Sequence, residues 1–139
     1  MLDFSLPALY QVPSGGNLSD LVHQNAERHP DVAVLSRKVD GQWQELTAAQ
    51  FQVEVRAAAK GLIAAGVEPG DRVGVMSRTR YEWTLLDFAI WTAGAITVPV
   101  YETSSAEQVE WILGDSGAVA VFTETDTHTA VVAVSYTHL

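Results

Sequence analysis

The sequence predicts an α/β fold: a parallel β-α-β-α-β unit preceded by a helix, a β-hairpin and a second helix. Three observations predict it. From Arg72 onward the apolar runs "RVGVM", "AITVPV" and "AVAVF" alternate with segments of helical periodicity. Strands that alternate with helices of this length form a parallel sheet with right-handed crossovers. Earlier in the chain, Asp40-Gly41 interrupts a strand-like run, the signature of a two-residue hairpin turn. Finally, 47% of the 139 residues are apolar, enough to build a core and too many for a disordered chain.

The elements follow in order. "NLSDLVHQNAERHP" predicts a helix capped by Asn17, with Asp20 at its positive end and Pro30 as its stop. "VAVLSRKVDGQWQEL" is the hairpin. Thr47 with Gln50 forms a capping box that opens the second helix. Phe51, Val55, Ala58, Leu62 and Ala65 make its apolar stripe, and Gly66 ends it in the left-handed position. "EPGD" is a turn with Pro69 and Gly70 at its centre. "RVGVM" is a strand, after which Thr79 with Glu82 is expected to open a third helix running to Gly94. "AITVPV" is the next strand. Ser104 or Ser105 opens a fourth helix, with Glu107 or Gln108 completing the box, and "AVAVF" is the last strand.

The third helix carries Tyr81, Trp83, Leu85, Leu86, Phe88, Ala89, Ile90 and Trp91 around most of its circumference. Such a helix is buried on more than one side, so the segment is expected to belong to something larger. Its side chains read as core packing rather than as the wall of an acyl pocket.

Charge and composition exclude several functions. Eight basic residues against 17 acidic ones leave a net charge of −9. Nucleic acids and anionic membranes need basic patches, so neither is an expected partner. Without cysteine there is no disulfide, no thiol nucleophile and no thiolate metal site, which fits a reducing compartment. His23 and His29 are six apart and share no helix face. They read as surface residues, and no metal site is expected. The apolar region from Leu85 to Val100 is interrupted by Asp87, Gly94 and Pro99, so no transmembrane segment is expected. Residues 1–16 lack a basic n-region and read as an N-terminal extension without a signal peptide.

The motifs yield few candidates. Gly66, Gly70 and Gly74 lie after a helix and before a strand. A dinucleotide fingerprint needs G-x-G-x-x-G in the opposite context, so turn and cap duty is the reading. "SRTRYEW" follows a strand and opens a helix, at the edge where open α/β sheets bind ligands. Arg78 and Arg80 are therefore the candidate anion contacts, against the alternative of solvated or ion-paired arginines beside a helix start. The run Thr103-Ser104-Ser105 reads as helix-start chemistry. A phosphate cradle wants converging glycines and a lysine, and neither occurs between Tyr101 and Leu113. No Ser-His-Asp set, paired carboxylate or phosphate loop is present, so no residue is assigned a catalytic role.

The sequence as a string says more. "GLIAAGVEPGDRVGVMSRTRYEWTLLDFAIWTAGAITVPVYETSSAEQVEWILGDSGAVAVF" resembles the N-terminal part of AMP-forming acyl-CoA synthetases, and within them the bacterial long-chain fatty-acid–CoA ligases. "QELTAAQF" stands at that group's first core motif and "WTAGAITVPVY" at its second. "NLSDLVHQNAERHPDVAVL" and the Asp-Gly hairpin fit its opening, while "SRTRYEW" and "YETSSAEQVEWIL" carry the long-chain subgroup. The resemblance covers about residues 15–125.

It implies that residues 17–133 form part of the large N-terminal domain of an adenylate-forming enzyme. It also implies a reaction using ATP, Mg²⁺ and coenzyme A on a fatty acid, cytoplasmic or peripheral at the membrane, in an enzyme that forms a homodimer. The family's Thr/Ser/Gly-rich loop ending in Lys-Gly, its metal-binding Glu, its ribose-binding Asp and its late lysine are not in this sequence. The chain alone is therefore expected to be inactive and to bind none of these ligands tightly. Three alternatives stand beside this one: adenylation of an amino or aryl acid, a nucleotide-binding α/β domain and a non-catalytic interaction module. Residues 134–139, "VSYTHL", match a conceptual translation of a transposon-end sequencing adapter and are read as foreign to the domain.

Overall fold

The β3 strand, Arg72–Met76, is the centre of the molecule. The computed structural model describes residues 5–7, 9 and 14–136. Around β3 stand α1 (Asp20–Arg28), β1 (Ala33–Val39), β2 (Gln42–Thr47), α2 (Ala48–Ala64), α3 (Tyr81–Thr92), β4 (Ile96–Val100), α4 (Ala106–Ser116), β5 (Ala118–Thr123) and α5 (Asp126–Tyr136). The sheet has the order β4-β3-β5, and both pairings are parallel. The expected β-α-β-α-β unit is present, preceded by the helix, hairpin and helix.

Side-chain alternation along β3 divides the core in two. Val73 and Val75 pack with Ala59, Leu62, Ala89 and Ile90 of α2 and α3. Met76 points the other way, onto Val109 and Leu113 of α4, with Val131 and Val132 of α5 beside them. The result is three layers, with α2 and α3 on one face of the sheet and α4 and α5 on the other. All four β3 residues from Val73 to Met76 are buried. Each of its fully buried valines contributes about 1.5–3 kcal/mol.

Gly74 is not a turn or cap residue. It lies inside β3, where an added Cβ would stand 3.0 Å from Leu113 Cδ2 and 3.1 Å from both Val121 methyls. Its missing side chain lets α4 approach the sheet. Gly66 and Gly70 do serve as cap and turn, at φ 95° and 89°. On the edge strand β4, the exposed Pro99 stands where a missing N–H costs the ladder least. Arg72 secures the opposite end of the sheet, donating from Nε to Ser116 O at 2.6 Å and from Nη2 to Gly117 O at 3.0 Å. These are carbonyls at the negative end of α4.

The hairpin forms a separate two-stranded sheet. Asp40 and Gly41 both have positive φ, 49° and 81°, as a turn matched to strand twist requires. Leu46 is buried and Leu35 packs beside Phe51 and Val55, which seats the hairpin on α2.

Several element boundaries differ from expectation. α1 begins at Asp20, and Asn17 instead caps a tight turn ahead of it, accepting from Ser19 N–H at 2.6 Å while Asp20 Oδ2 accepts from Asn17 N–H at 2.9 Å. The α2 stripe buries Ala59 in place of Ala58, and Ala65 is exposed. α3 begins at Tyr81, with Thr79 outside it and no side-chain cap bond. Its Glu82 carboxylate goes to the Arg80 guanidinium, because a two-point charged pair outcompetes a single bond from the Thr79 backbone N–H. Only Ala89 and Ile90 of α3 are fully buried, so much of its apolar circumference is half-covered. His23 is half-buried, with Nδ1 3.1 Å from Gln52 Nε2, while His29 is exposed as expected. α5 continues to Tyr136, past the start of the stretch read as foreign; residues 137–139 lie outside the described residues, as does most of the N-terminal extension 1–16.

Candidate functional site

The carboxyl ends of β3, β4 and β5 converge on one edge of the sheet. Crossovers from β3 and β4 leave toward opposite faces, and a crevice of this kind is where open α/β folds hold ligands. The segment 77–80 follows β3, the segment 101–105 follows β4, and Glu124 follows β5.

Both sequence-predicted site residues lie here, and both are engaged by carboxylates. Arg78 donates its backbone N–H to Glu124 Oε2 at 2.8 Å and its Nη2 to Glu124 Oε1 at 2.8 Å. Arg80 donates from Nη1 to the same Oε1 at 3.1 Å, and from Nη2 to Glu82 Oε1 at 2.9 Å. Glu102 adds a longer contact to Arg78 Nε, at 3.9 Å. The hydrogen bonds from Arg78 push the Glu124 carboxyl down to about 2. Reciprocally, the bond to Glu124 raises Arg78. Arg80 is raised chiefly by Glu82, whose own carboxyl is held low by it. An external anion at either guanidinium competes with these internal carboxylates.

A cleft of about 640 Å³ opens between the hairpin and this edge. Arg37, Lys38, Trp43, Arg78, Tyr81 and Glu124 are among its walls. A second, of about 450 Å³, lies between the ends of β3 and β4 and is lined by Ser77, Arg78, Thr79, Trp83, Tyr101 and Glu102 among others. Beneath the first cleft, Glu54 of α2 accepts from both Nη groups of Arg37 at 3.2 Å and from the Tyr81 hydroxyl at 2.7 Å. The Arg37 guanidinium also stands over the Tyr81 ring, 4.8 Å from its centroid. Burial, reinforced by the bond to Glu54, pushes the Tyr81 hydroxyl well above its ordinary value.

Of the three hydroxyls that follow β4, Ser105 is the helix cap. Its N–H donates to Gln108 Oε1 at 2.9 Å and its Oγ accepts from Gln108 N–H at 3.4 Å. The capping box therefore uses Ser105 and Gln108. Sequence reading missed Glu124, Glu54 and Arg37. Their partners are 17 to 46 residues away, and no local pattern announces such pairs. Among the described residues no group of three or more His, Cys, Asp or Glu side chains is placed to hold a metal. The edge offers charge and shape, and its Ser105 hydroxyl, which also donates to Glu107 Oε2 at 3.1 Å, is engaged as the helix cap.

The family model described as "AMP-binding enzyme" matches residues 22–137. Over 133 residues the chain is 50% identical to the long-chain-fatty-acid–CoA ligase FadD15 of Mycobacterium bovis, and equally to that of Mycobacterium tuberculosis. Each match covers 96% of this chain and 22% of the relative, so the chain spans about a fifth of the length of these relatives. Among solved structures, one from Rhodopseudomonas palustris, named as a long-chain-fatty-acid CoA ligase, superposes with a TM-score of 0.76 at 32% identity, over 88% of this chain and 30% of that one. VinN superposes with a TM-score of 0.80 over 90% of this chain and 31% of its own, and at 17% identity shows the fold alone.

Proposed function

Because the chain belongs to the AMP-binding enzyme family, we propose that it forms part of the N-terminal domain of an ATP-dependent long-chain fatty-acid–CoA ligase. The observation that carries this reading is the 50% identity, over nearly the whole chain, to the two mycobacterial ligases. In the proposed reaction a fatty-acid carboxylate oxygen attacks the α-phosphorus of ATP and pyrophosphate leaves. The thiol of coenzyme A then attacks the acyl carbon and AMP leaves. Both steps need positive or hydrogen-bonding groups against developing negative charge.

This chain contributes scaffold to that chemistry. The β3-centred sheet and its two helix layers set the crossover loops at the carboxyl edge. Arg78 and Arg80 are the proposed anion contacts, available to a ligand to the extent that it displaces Glu124 and Glu82. Mg²⁺ belongs to the proposed full-length reaction, but the acidic side chains described here form no metal-binding group, so no step is assigned to a metal on this chain. No described helix is long and apolar enough to cross a membrane. Cytoplasmic action, peripheral contact with the membrane and a full-length homodimer are parts of the same proposal. The relatives do not favour an amino- or aryl-acid adenylation domain or a non-catalytic module.

The test has two arms. The 139-residue chain is expected to release no pyrophosphate from ATP and a fatty acid. Release that depends on both substrates would overturn its scaffold role. A longer polypeptide that carries these residues and has the length of the relatives is expected to form acyl-CoA from a long-chain acid. Adenylation of amino or aryl acids in its place would sink the ligase reading.

A further inference from the structure

A carboxylate that accepts from one backbone N–H and two guanidinium groups fixes whatever carries those donors. We propose that Glu124 is a positioning residue that holds the segment 77–80 in place over the carboxyl edge of the sheet.

Apart from Glu124, the segment is held by the local pair of Arg80 with Glu82 and the longer contact of Arg78 with Glu102. Arg78, Thr79 and Arg80 are exposed, and Ser77 Oγ donates only locally, to Arg78 O at 2.9 Å. No buried apolar side chain anchors these four residues. Glu124, by contrast, is rigid from behind. Its N–H donates to Met76 O at 3.2 Å, extending the β3–β5 ladder by one bond, and its side chain is only 5% exposed. A residue fixed to the sheet thus reaches across 46 positions to bind both arginines of the segment, whose other side-chain pairs are to Glu82, two residues on, and to Glu102 at 3.9 Å.

The consequence is spatial. Arg78 and Thr79 line both clefts at this edge, so the position of the segment sets the width of the two openings. That a ligase substrate or cofactor enters there rests on the proposed function; the anchoring does not.

Trypsin reads the anchoring directly, because Arg78 and Arg80 are themselves cleavage sites. In the 139-residue chain under native conditions, Glu124→Gln is expected to accelerate cleavage after Arg78 and Arg80 on the order of tenfold relative to cleavage after Arg56 and Lys60 in α2, since local opening rises before global unfolding. Glu124→Asp keeps the charge and is expected to recover part of the protection. Equal cleavage in wild type and Glu124→Gln would overturn the proposal, as would acceleration that is uniform over all four sites. If Glu124→Gln fails to fold, Arg78→Ala reads the bond after Arg80 alone. Faster cleavage there supports the anchor, and an unchanged rate refutes it. No ligase assay enters, so the outcome is independent of the functional reading.

Discussion

The Tyr81 hydroxyl donates to Glu54 Oε2 at 2.7 Å, at the same carboxylate that holds the Arg37 guanidinium through two bonds. Three elements meet in this knot: β1, α2 and α3. A lone two-stranded hairpin is marginally stable in water, so β1 and β2 depend on such anchors. Phe51 adds an apolar one, edge-on to Tyr81 with ring centroids 6.3 Å apart.

Tyr81→Phe removes the hydroxyl and keeps the ring. It is expected to cost about 1 kcal/mol in urea unfolding, the net value of one such bond. The loss has a pH signature. The folded Tyr81 is raised above its unfolded value of 10.0 by burial, then by Glu54. Its contribution is therefore complete below pH 10 and lost as pH rises beyond it. The wild-type and Tyr81→Phe unfolding midpoints should converge between about pH 10 and 12. A constant difference across that range would contradict the assignment.

Glu124 gives the opposite window. Its folded value, about 2, lies below the ordinary 4.5. The stabilisation is present above 4.5 and is lost as pH falls through 2. Carboxyl ¹³C titration should place the Glu124 midpoint well below the ordinary 4.5. The urea midpoint should fall less steeply between about pH 5 and 2 in Glu124→Gln than in wild type. Identical slopes would show that the arginine contacts do not persist in solution.

Most of the fold was legible because its signals are local. The two capping boxes, the Asp40-Gly41 turn, the Gly66 cap and the Gly70 turn each act within four residues, and the structure places them where the sequence puts them. Other features were hidden for physical reasons. Thr79 and Glu82 have capping-box spacing, but Arg80 captures the carboxylate. α5 is rich in β-branched residues, "DTHTAVVAVSY", which weakens its helical signal. Thr125 nonetheless marks its start, accepting from His128 N–H at 3.2 Å. The strand order β4-β3-β5 depends on which side of β3 the last strand returns to, and no spacing encodes that. At the site, Arg78 and Arg80 were visible from their place after a strand. Glu124, which engages both, was visible only once β3 and β5 were paired.

Gly74 tests the packing of α4 on the sheet. Gly74→Ala puts a methyl against Leu113 Cδ2 and the Val121 methyls at about 3 Å. Overpacking of this kind costs about 1–3 kcal/mol, read as a lowered urea midpoint with unchanged slope. In a Leu113→Ala background the same substitution should cost less, because one of the clashing groups is gone. An additive pair would mean that Leu113 is not what limits the site.

The hydroxyl run at residues 103–105 separates capping from ligand binding, because the two roles assign different weights to its members. The cap uses one hydroxyl, Ser105 Oγ, which accepts from Gln108 N–H at 3.4 Å while Glu107 stands in the first turn. Removing it leaves a helix N–H without its partner. Ser105→Ala should therefore cost about 1 kcal/mol. Ser104→Ala and Thr103→Ala should each stay within about 0.5 kcal/mol, as ordinary surface substitutions do. Ser105→Asp is the sharper probe. Aspartate is also a good cap, and its charge suits the positive end of α4, so stability should be retained or raised. Were the run a phosphate cradle, the added negative charge would repel the ligand, and pyrophosphate would stabilise wild type but not Ser105→Asp. Thermal unfolding with and without pyrophosphate distinguishes the two. The cap predicts no dependence on pyrophosphate in either protein, and a dependence confined to wild type would overturn it.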